Sequence, residues 1–206
     1  MAASESFSDR DSWERRWEQA LAQHGDAIVS KPPNPLLVGE FSDVEPGRAL
    51  DAGCGHGAES IWLAGLGWRV TAVDFSVAAL ERGRATGTAL DLGEQIEWLE
   101  GDLGVWTPEP AAYDLVSCLY VHVAGSAVEM VQRLASGVAP GGTLFLVGYP
   151  ATDPETGEPT MAAGQNQVTV PDALAALTDG WEIEIAENRP REVGGGVDAV
   201  VRARRW

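Results

Sequence analysis

Three glycines at alternate positions follow an acidic residue in the stretch Asp51-Ala52-Gly53-Cys54-Gly55-His56-Gly57. The residues before it, Ala49-Leu50, are typical of a short apolar strand, and a helix is predicted to begin at Ala58. A strand, a glycine loop and a helix in this order bring backbone N–H groups and a helix N-terminus around a small bound molecule. The spacing D-x-G-x-G-x-G differs from the dinucleotide pattern G-x-G-x-x-G. Either pattern alone also occurs in simple tight turns. The elements that follow in the chain are therefore needed to distinguish a binding loop from such a turn.

The next two predicted strands also end in acidic residues. Residues 67–74 close on Asp74, about twenty residues after the loop, where a βαβ unit presents a carboxylate that can accept both ribose hydroxyls. A third strand, residues 95–100, runs into Gly101-Asp102-Leu103. Acidic residues at the ends of two further strands favour the interpretation of the Asp51–Gly57 stretch as a ligand-binding loop and not as a simple turn.

Strands and helices continue to alternate up to residue 149. A fourth strand, residues 113–119, leads into Tyr120-Val121-His122. Pro140-Gly141-Gly142 is predicted to turn the chain into a fifth strand, Thr143–Tyr149. Helices are predicted over the three connecting segments, and this alternation predicts a doubly wound, largely parallel α/β sheet. The predicted helices span residues 58–66, 76–88 and 124–138.

These elements, in this order, resemble the class I S-adenosylmethionine-dependent methyltransferases. The flanks Trp13–Trp17 and Pro33–Leu37 and the tail Asp198–Arg204 resemble the small single-domain branch near the tellurite-resistance and thiopurine methyltransferases. The resemblance implies a seven-stranded Rossmann-like sheet with an antiparallel C-terminal hairpin, and S-adenosylmethionine as the methyl donor. The matching pieces are Asp51–Gly57, Val73–Ser76, Gly101–Leu103, Tyr113–His122 and Ala139–Leu144.

Length and composition are those of an ordinary globular domain. With 206 residues, 45% hydrophobic and 22% charged, the chain can bury a substantial core. It contains no apolar run of the roughly 18–20 residues that a membrane helix needs, and Met1–Ser6 does not resemble a secretory signal. Cys54 and Cys118 form no C-x-x-C pair, which argues against a zinc site or a disulfide framework. We expect reduced thiols in a cytoplasmic protein, as a monomer or homodimer.

The formal net charge of −17 bears on the partner. Such a field repels polyphosphate, so we expect no nucleic-acid acceptor. DNA amino-methyltransferases also carry an Asn/Asp-Pro-Pro-aromatic motif after the fourth strand, where this chain has Tyr120-Val121-His122. A small-molecule acceptor is therefore predicted, and the acidity is most simply explained by solubility.

We predict a single domain over residues 1–206, with an N-terminal cap (1–46), a cofactor-binding core (47–149) and a C-terminal part (150–206). In the cap, Trp13 and Trp17 share one face of a predicted helix, which either packs on the domain or covers the donor pocket. Ser30–Pro35 is too rich in proline for a helix or central strand. It is expected to be extended along the pocket.

The C-terminal part begins with a long irregular segment, Pro150–Gln167. Loops of this length are more often active-site lids or disordered segments than bare connections. A helix is predicted from Pro171 to Thr178, because proline suits the first turn. Alternation around Trp181–Ile185 indicates a half-buried strand, and Gly194–Gly196 reverses the chain into a last strand, Val197–Arg204.

The resemblance assigns donor contacts residue by residue. The glycines let the backbone approach the donor closely, and Asp51 would attract its ammonium group. Asp74 would accept the ribose hydroxyls, Phe75 would contact adenine, and Asp102 would accept from the adenine amino group. Asp51 and Asp102 could instead be turn formers, and Phe75 could be core. The candidate donor-binding residues are Asp51, Gly53, Cys54, Gly55, Gly57, Asp74, Phe75, Ser76, Asp102, Leu103 and Leu119; Cys54 could simply fill a small space in the loop.

The candidate catalytic residues are His122, Tyr120 and Tyr149, at the carboxyl edge where ligands bind in open α/β sheets. His122 is the best titratable candidate for a general base, although it could equally shape the pocket wall. Methyl transfer from a sulfonium releases a neutral group, so no metal is required. A non-catalytic protein that binds the same donor, and a nucleotide-dependent oxidoreductase, remain alternatives. The alternating glycine spacing counts against the oxidoreductase.

Overall fold

The computed structural model of the protein describes residues 14, 15, 19, 23, 31–150, 152, 153, 156–160, 166–191 and 196–206. Among the described residues from residue 31 onward there are seven strands and five helices. The helices are α1 (Pro35–Phe41), α2 (Ala58–Gly65), α3 (Val77–Ala89), α4 (Ala127–Ser136) and α5 (Val170–Ala176). The strands are β1 (Arg48–Ala52), β2 (Arg69–Asp74), β3 (Ile96–Glu100), β4 (Tyr113–Leu119), β5 (Val138–Gly148), β6 (Trp181–Pro190) and β7 (Val197–Arg205).

The strands form one sheet in the order β3-β2-β1-β4-β5-β7-β6. β1 to β5 are parallel, and β7 is antiparallel to both β5 and β6. This confirms the predicted α/β class and the antiparallel C-terminal pair. The strand order reverses between β1 and β4, and such a switch point opens a crevice at the carboxyl ends of the strands. The glycine loop, the end of β2 and the end of β4 all lie at that edge.

Polar caps explain where several helices begin. Asn34 accepts a hydrogen bond from the Leu36 N–H, and Pro35 occupies the first helical position of α1. Ser76 and Ser126 cap α3 and α4 in the same way. Thr169 and Asp172 form a reciprocal capping box on α5. Each cap satisfies backbone N–H groups that the helix itself leaves without a partner.

Apolar side chains cover both faces of the sheet, as expected for a doubly wound fold. On one face, α4 contributes Met130 and Leu134 to a cluster that also contains β4 and β5 residues. On the other, Leu37 and Phe41 of α1 pack beside Leu63 of α2. Both clusters are fully buried at their centres. The sheet is therefore fixed from both sides, and its carboxyl edge presents a rigid platform.

Some predicted boundaries were wrong. β5 begins at Val138, so Pro140-Gly141-Gly142 lies within the strand, and the β4–β5 register shifts between Tyr113 and Leu115. A bulge accommodates the proline, which cannot donate to the ladder. α4 is shorter than predicted because Ser126 caps it. The extended segment stops at Asn34, since Pro35 already belongs to α1.

Two other predictions involve residues outside the described part of the chain. Trp13 and Trp17 lie outside it, as do Gly194 and Gly195 of the C-terminal reversal. The long segment after β5 is described in part and contains a local antiparallel bridge between Thr152 and Pro159. Among the described residues, no helix combines the length and apolar composition needed to cross a membrane.

Trp98 on β3 packs where a glycine of the loop and a glycine of α3 leave room. A Cβ atom built on Gly57 would lie 2.2 Å from Cη2 of the indole, and one on Gly83 would lie 2.4 Å from Cζ3. Neither distance is sterically possible. The two glycines therefore allow α3 and the end of the glycine loop to approach the same ring.

We expect Gly83→Ala to lower the free energy of unfolding by about 1–3 kcal/mol, because the added methyl group would overlap Trp98. Gly87→Ala is the matched control on the same helix, since its nearest neighbour would be Ile96 at an ordinary 3.6 Å. It should raise stability by about 0.5–1 kcal/mol through helix propensity. Urea unfolding measures both; stabilisation by both changes would contradict the packing argument.

Candidate active site

The glycine loop has a backbone that depends on glycine. Gly53, Gly55 and Gly57 all have positive φ, at 79°, 53° and 81°. The N–H groups of Gly53 and Cys54 both donate to the Val73 carbonyl, at 2.7 and 3.0 Å. The loop is thus hydrogen-bonded to the end of strand β2, and α2 begins directly after the loop at Ala58.

Asp74 connects the glycine loop to α3. Its Oδ2 accepts from the Gly55 N–H at 2.8 Å, and its Oδ1 accepts from the Ser76 N–H at 2.9 Å. Asp74 is buried, which raises the pKa of its carboxyl group. Ser76 is also buried and accepts from the Ala79 N–H, while Phe75 is half-buried beside it. The structure therefore brings together four of the predicted donor residues.

Asp51 lies beneath the loop at the end of β1, only 3% exposed. The Ser60 hydroxyl of α2 donates to its Oδ2 at 2.5 Å. Burial, reinforced by the nearby Glu59 carboxyl, raises the pKa of Asp51 to about 7. Glu59 itself accepts from the Asn34 N–H at 3.0 Å, and burial raises its pKa too. Two carboxyl groups therefore share one poorly solvated region.

A cationic ligand would fit this region. Between described residues, no ion pair includes Asp51 or Asp74. Glu14, from the N-terminal segment, accepts from the Ala78 N–H and raises the pKa of Asp74 further. Buried acids without a basic partner are stabilised by a positively charged ligand. The ammonium and sulfonium groups of S-adenosylmethionine match this requirement.

Asp102 and Leu103 lie differently at the end of β3. Asp102 is exposed, and its Oδ1 accepts from the Gly104 N–H at 2.8 Å, so it does form a turn. Leu103 is buried next to the glycine loop. Arg133 of α4 donates to the carbonyls of Leu103 and Gly104 and fixes this turn against the helix.

The two thiols are buried at the same edge. Burial raises the pKa of Cys118 to about 12 and that of Cys54 well above its ordinary value. Both therefore stay protonated at neutral pH. Leu119 is half-buried where β4 ends and packs against the cluster on the α1 side of the sheet.

Two of the predicted catalytic residues, Tyr120 and Tyr149, follow β4 and β5 and lie side by side. Tyr120 stacks on Tyr149 with ring centroids 4.5 Å apart. The Cζ atom of the Arg191 guanidinium lies over the Tyr149 ring, 4.4 Å from its centroid. Asp198 of β7 holds Arg191 at 2.8 Å. The Asn34 side-chain amide donates to the Tyr120 hydroxyl at 3.3 Å. We call Tyr120, Tyr149 and Arg191 the aromatic wall.

The hydroxyl groups of this wall are neutral. Burial raises the pKa of Tyr120 and of Tyr149 above the ordinary value for a phenol, although Arg191 partly opposes the effect at Tyr149. Tyr120 also has a positive φ of 56°, which is uncommon for a residue with a side chain. A strained backbone of this kind is found where packing fixes a side chain in place.

His122, the third predicted catalytic residue, contacts the end of the long segment. Gln167 is 3% exposed and forms an isolated antiparallel bridge with His122. Its Oε1 accepts from the Tyr149 N–H at 2.9 Å. Its Nε2 lies 2.7 Å from Nε2 of His122 and 3.3 Å from Nδ1. Gln167, the last residue of the long segment, thus contacts both Tyr149 after β5 and His122 after β4.

Sequence reasoning missed several residues of this site. Glu59 and Ser60 follow the glycine loop directly, and their position in the first turn of α2 could have indicated them. Asn34 and Gln167 lie in the two segments expected near the pocket, Ser30–Pro35 and Pro150–Gln167, but no pattern singled out these residues, and Arg191 gave no signal. Each reaches the site from a segment far from the glycine loop in sequence, through contacts that only the fold creates.

Comparison with known proteins agrees with this geometry. Residues 49–142 match a family model described as a methyltransferase domain. Thiocyanate methyltransferase 1 of Brassica oleracea is 26% identical over 163 residues, covering 75% of this chain and 69% of that protein. The ubiquinone biosynthesis O-methyltransferase of Burkholderia multivorans is 38% identical over 133 residues, covering 63% and 56%. The chain thus spans only about half of the second relative.

Solved structures show the same fold. An S-adenosylmethionine-dependent methyltransferase from Mesorhizobium loti has a TM-score of 0.66 at 22% identity and covers 83% of this chain and 96% of its own. Magnesium protoporphyrin IX methyltransferase from Synechocystis, with bound S-adenosylmethionine, has a TM-score of 0.61 at 23% identity, covering 96% and 85%. With the match over residues 49–142, they show that this part of the chain is a methyltransferase domain with the class I fold. The narrower branch stays a prediction.

The raised pKa of Asp51 makes stability depend on pH. Because the folded state holds this proton more tightly than the unfolded chain, wild-type stability falls as pH rises from about 4 to about 7. Asp51→Asn cannot ionise, so without added donor its stability advantage over the wild type should be roughly 2–3 kcal/mol larger at pH 8 than at pH 5, where more than a third of the effect is already present. Urea unfolding at both pH values measures this gap. The exposed Asp43→Asn is the control, and an equal gap at both pH values would refute the assignment.

Proposed function

We propose that the chain transfers the methyl group of S-adenosylmethionine to a small-molecule acceptor bound against the aromatic wall. The observation that supports this most is a shared edge. The donor-side acids end β1 and β2, while Tyr120 and Tyr149 follow β4 and β5, and all four strand ends are carboxyl ends of parallel neighbours. In-line methyl transfer requires donor and acceptor to lie close together and away from water.

On the donor side, each residue has a defined task. The three glycines let the backbone lie against the ligand, and Asp74 accepts the ribose hydroxyls through lone pairs not used by Gly55 and Ser76. Asp51 stabilises the ammonium group. When bound, the donor supplies an electrophilic methyl group on a sulfonium. Asp102 and Leu103 border the adenine, with Phe75 on the opposite side.

On the acceptor side, the relatives suggest sulfur and oxygen nucleophiles. The names of two plant relatives refer to thiocyanate and thiol, and that of a bacterial relative to O-methylation in ubiquinone biosynthesis. Two stacked neutral phenol rings, with the Arg191 charge paired to Asp198, suit a small, flat or linear acceptor. Glu14, which accepts from the Ala78 N–H, and the described residues 152, 153 and 156–160 are proposed to border the entrance of the pocket.

A panel of small thiols and hydroxyl compounds with isotopically labelled donor tests the function. We expect product mass to increase by one methyl group, with stoichiometric S-adenosylhomocysteine, for at least one acceptor. Tight donor binding in calorimetry without turnover on any acceptor would instead favour the non-catalytic alternative. Preferential binding of NAD(P) would support the oxidoreductase, which the methyltransferase domain match already disfavours.

Asp74→Ala tests the proposed hydrogen bonds between Asp74 and the ribose of the donor. Removing hydrogen bonds from the ribose to a charged acceptor, each worth roughly 1.5–3 kcal/mol, should weaken donor binding on the order of 10² or more. The exposed Asp179→Ala is the control and should bind the donor normally. Calorimetry measures both, after thermal melting has verified that each variant is folded. Unchanged affinity in Asp74→Ala would remove the ribose assignment.

A further inference from the structure

Glu59 lies in the first turn of α2, directly after the glycine loop. Its Oε1 accepts a hydrogen bond from the N–H of Asn34, at 3.0 Å, in the segment just before α1. Among the described contacts, no side chain and no N–H group of another residue donates to its second oxygen, Oε2. One oxygen of this carboxyl group is therefore held in place by the protein, and the other can accept from a ligand.

Asp51 is the other carboxyl group of this region, and it is the less accessible of the two. It lies beneath the loop, only 3% exposed, and its Oδ2 already accepts from the Ser60 hydroxyl at 2.5 Å. Glu59 is half-buried. A ligand bound over the glycine loop can therefore reach the carboxyl group of Glu59 more easily than that of Asp51.

The described part of the chain brings no cation into contact with these two acids. Burial, and after it the Glu59 carboxyl, raises the pKa of Asp51. Burial also raises the pKa of Glu59, and the Lys31 ammonium opposes this effect without cancelling it. No ion pair between described residues includes Glu59. Like-charged acids in a poorly solvated region are stabilised when a ligand brings a positive group to them.

We propose that Glu59 is a donor-binding residue that accepts a hydrogen bond from the ammonium group of S-adenosylmethionine, beside Asp51. This inference rests on the proposed function and adds a residue to the same donor site. A primary ammonium group has three hydrogens, so two carboxylates can accept from it together. Glu59 also lies within the methyltransferase domain match over residues 49–142, which points to a donor independently of the acids.

Two ligands that differ only in the ammonium group test this contact. S-adenosylhomocysteine carries the group, whereas its deaminated analogue has a hydrogen in that place and keeps the carboxylate, the sulfur and the nucleoside. Calorimetry, with competition for the weaker ligand, gives the Kd of each. We expect the wild type to bind S-adenosylhomocysteine more tightly than the analogue. If neither ligand binds, the proposed function fails, and this inference fails with it.

Glu59→Gln removes the charge but keeps an amide oxygen for the Asn34 N–H. Because a hydrogen bond between charged groups is lost, the variant should bind S-adenosylhomocysteine roughly ten- to a hundredfold more weakly. Its affinity for the deaminated analogue should stay within about threefold of the wild type, since the interacting group is already absent. Glu45→Gln makes the same chemical change at an exposed position and should bind both ligands normally. Unchanged affinity of folded Glu59→Gln for S-adenosylhomocysteine would overturn the proposal.

A purely structural role for Glu59 predicts a different result. If Glu59 only anchored the segment before α1, Glu59→Gln would weaken both ligands by the same factor, and that outcome also contradicts the proposal. Thermal melting verifies the fold of each variant. If Glu59→Gln does not fold, Glu59→Asp decides, because it keeps the charge and withdraws the carboxylate by one methylene group. Selective weakening of S-adenosylhomocysteine then supports the contact, and equal effects on both ligands refute it.

Asp74→Ala separates this inference from the proposed function. Both ligands carry the ribose, so the loss of Asp74 should weaken both of them. If Asp74→Ala behaves in this way while Glu59→Gln binds both ligands normally, the donor site stands and only the role of Glu59 is wrong.

Discussion

The two hydrogen bonds of the Asp74 carboxylate position much of the donor site. One oxygen fixes Gly55 in the middle of the glycine loop, and the other fixes Ser76, which caps α3. Because the loop also donates to the Val73 carbonyl, its left-handed glycines stay in register with the end of β2. A single buried acid thus sets the spacing between β1, β2 and the first turns of two helices. A ligand that bonds to Asp74 meets a site whose geometry is already formed.

Burying these acids has a cost that the apolar core offsets. Asp51 sits under the loop with a pKa raised to about 7, and hydroxyl groups, not cations, are its partners among the described residues. A region that is destabilised without its ligand binds a cation strongly, because binding relieves the unfavourable burial. The same arrangement makes the free protein less stable at alkaline pH. Under the proposed contact between Asp51 and the donor, donor affinity and the stability of the free protein are therefore opposed at this residue.

The sequence predicted the local structure around the glycine loop well because its determinants are local, while the donor contacts of these residues stay a prediction. The Asp51–Gly57 loop, the strand ending in Asp74 and the serine cap are contiguous patterns with strong backbone requirements, and the α/β sheet was confirmed with them. The errors had local physical causes, such as the bulge that places Pro140 inside β5. Asp102 was ambiguous between a ligand and a turn former; the structure shows the turn, while its adenine contact stays a prediction.

The acceptor side could not be read in the same way because it is assembled from distant segments. The aromatic wall joins the ends of β4 and β5 to Arg191, which Asp198 of β7 holds in place, and Gln167 links His122 to the Tyr149 backbone. None of these contacts follows from a spacing in the chain. The separation also has a consequence for specificity. The wall shares no hydrogen bond with Asp74 or the glycine loop among the described contacts. Under the proposed function, substitutions in the wall should therefore change acceptor preference and leave donor binding intact.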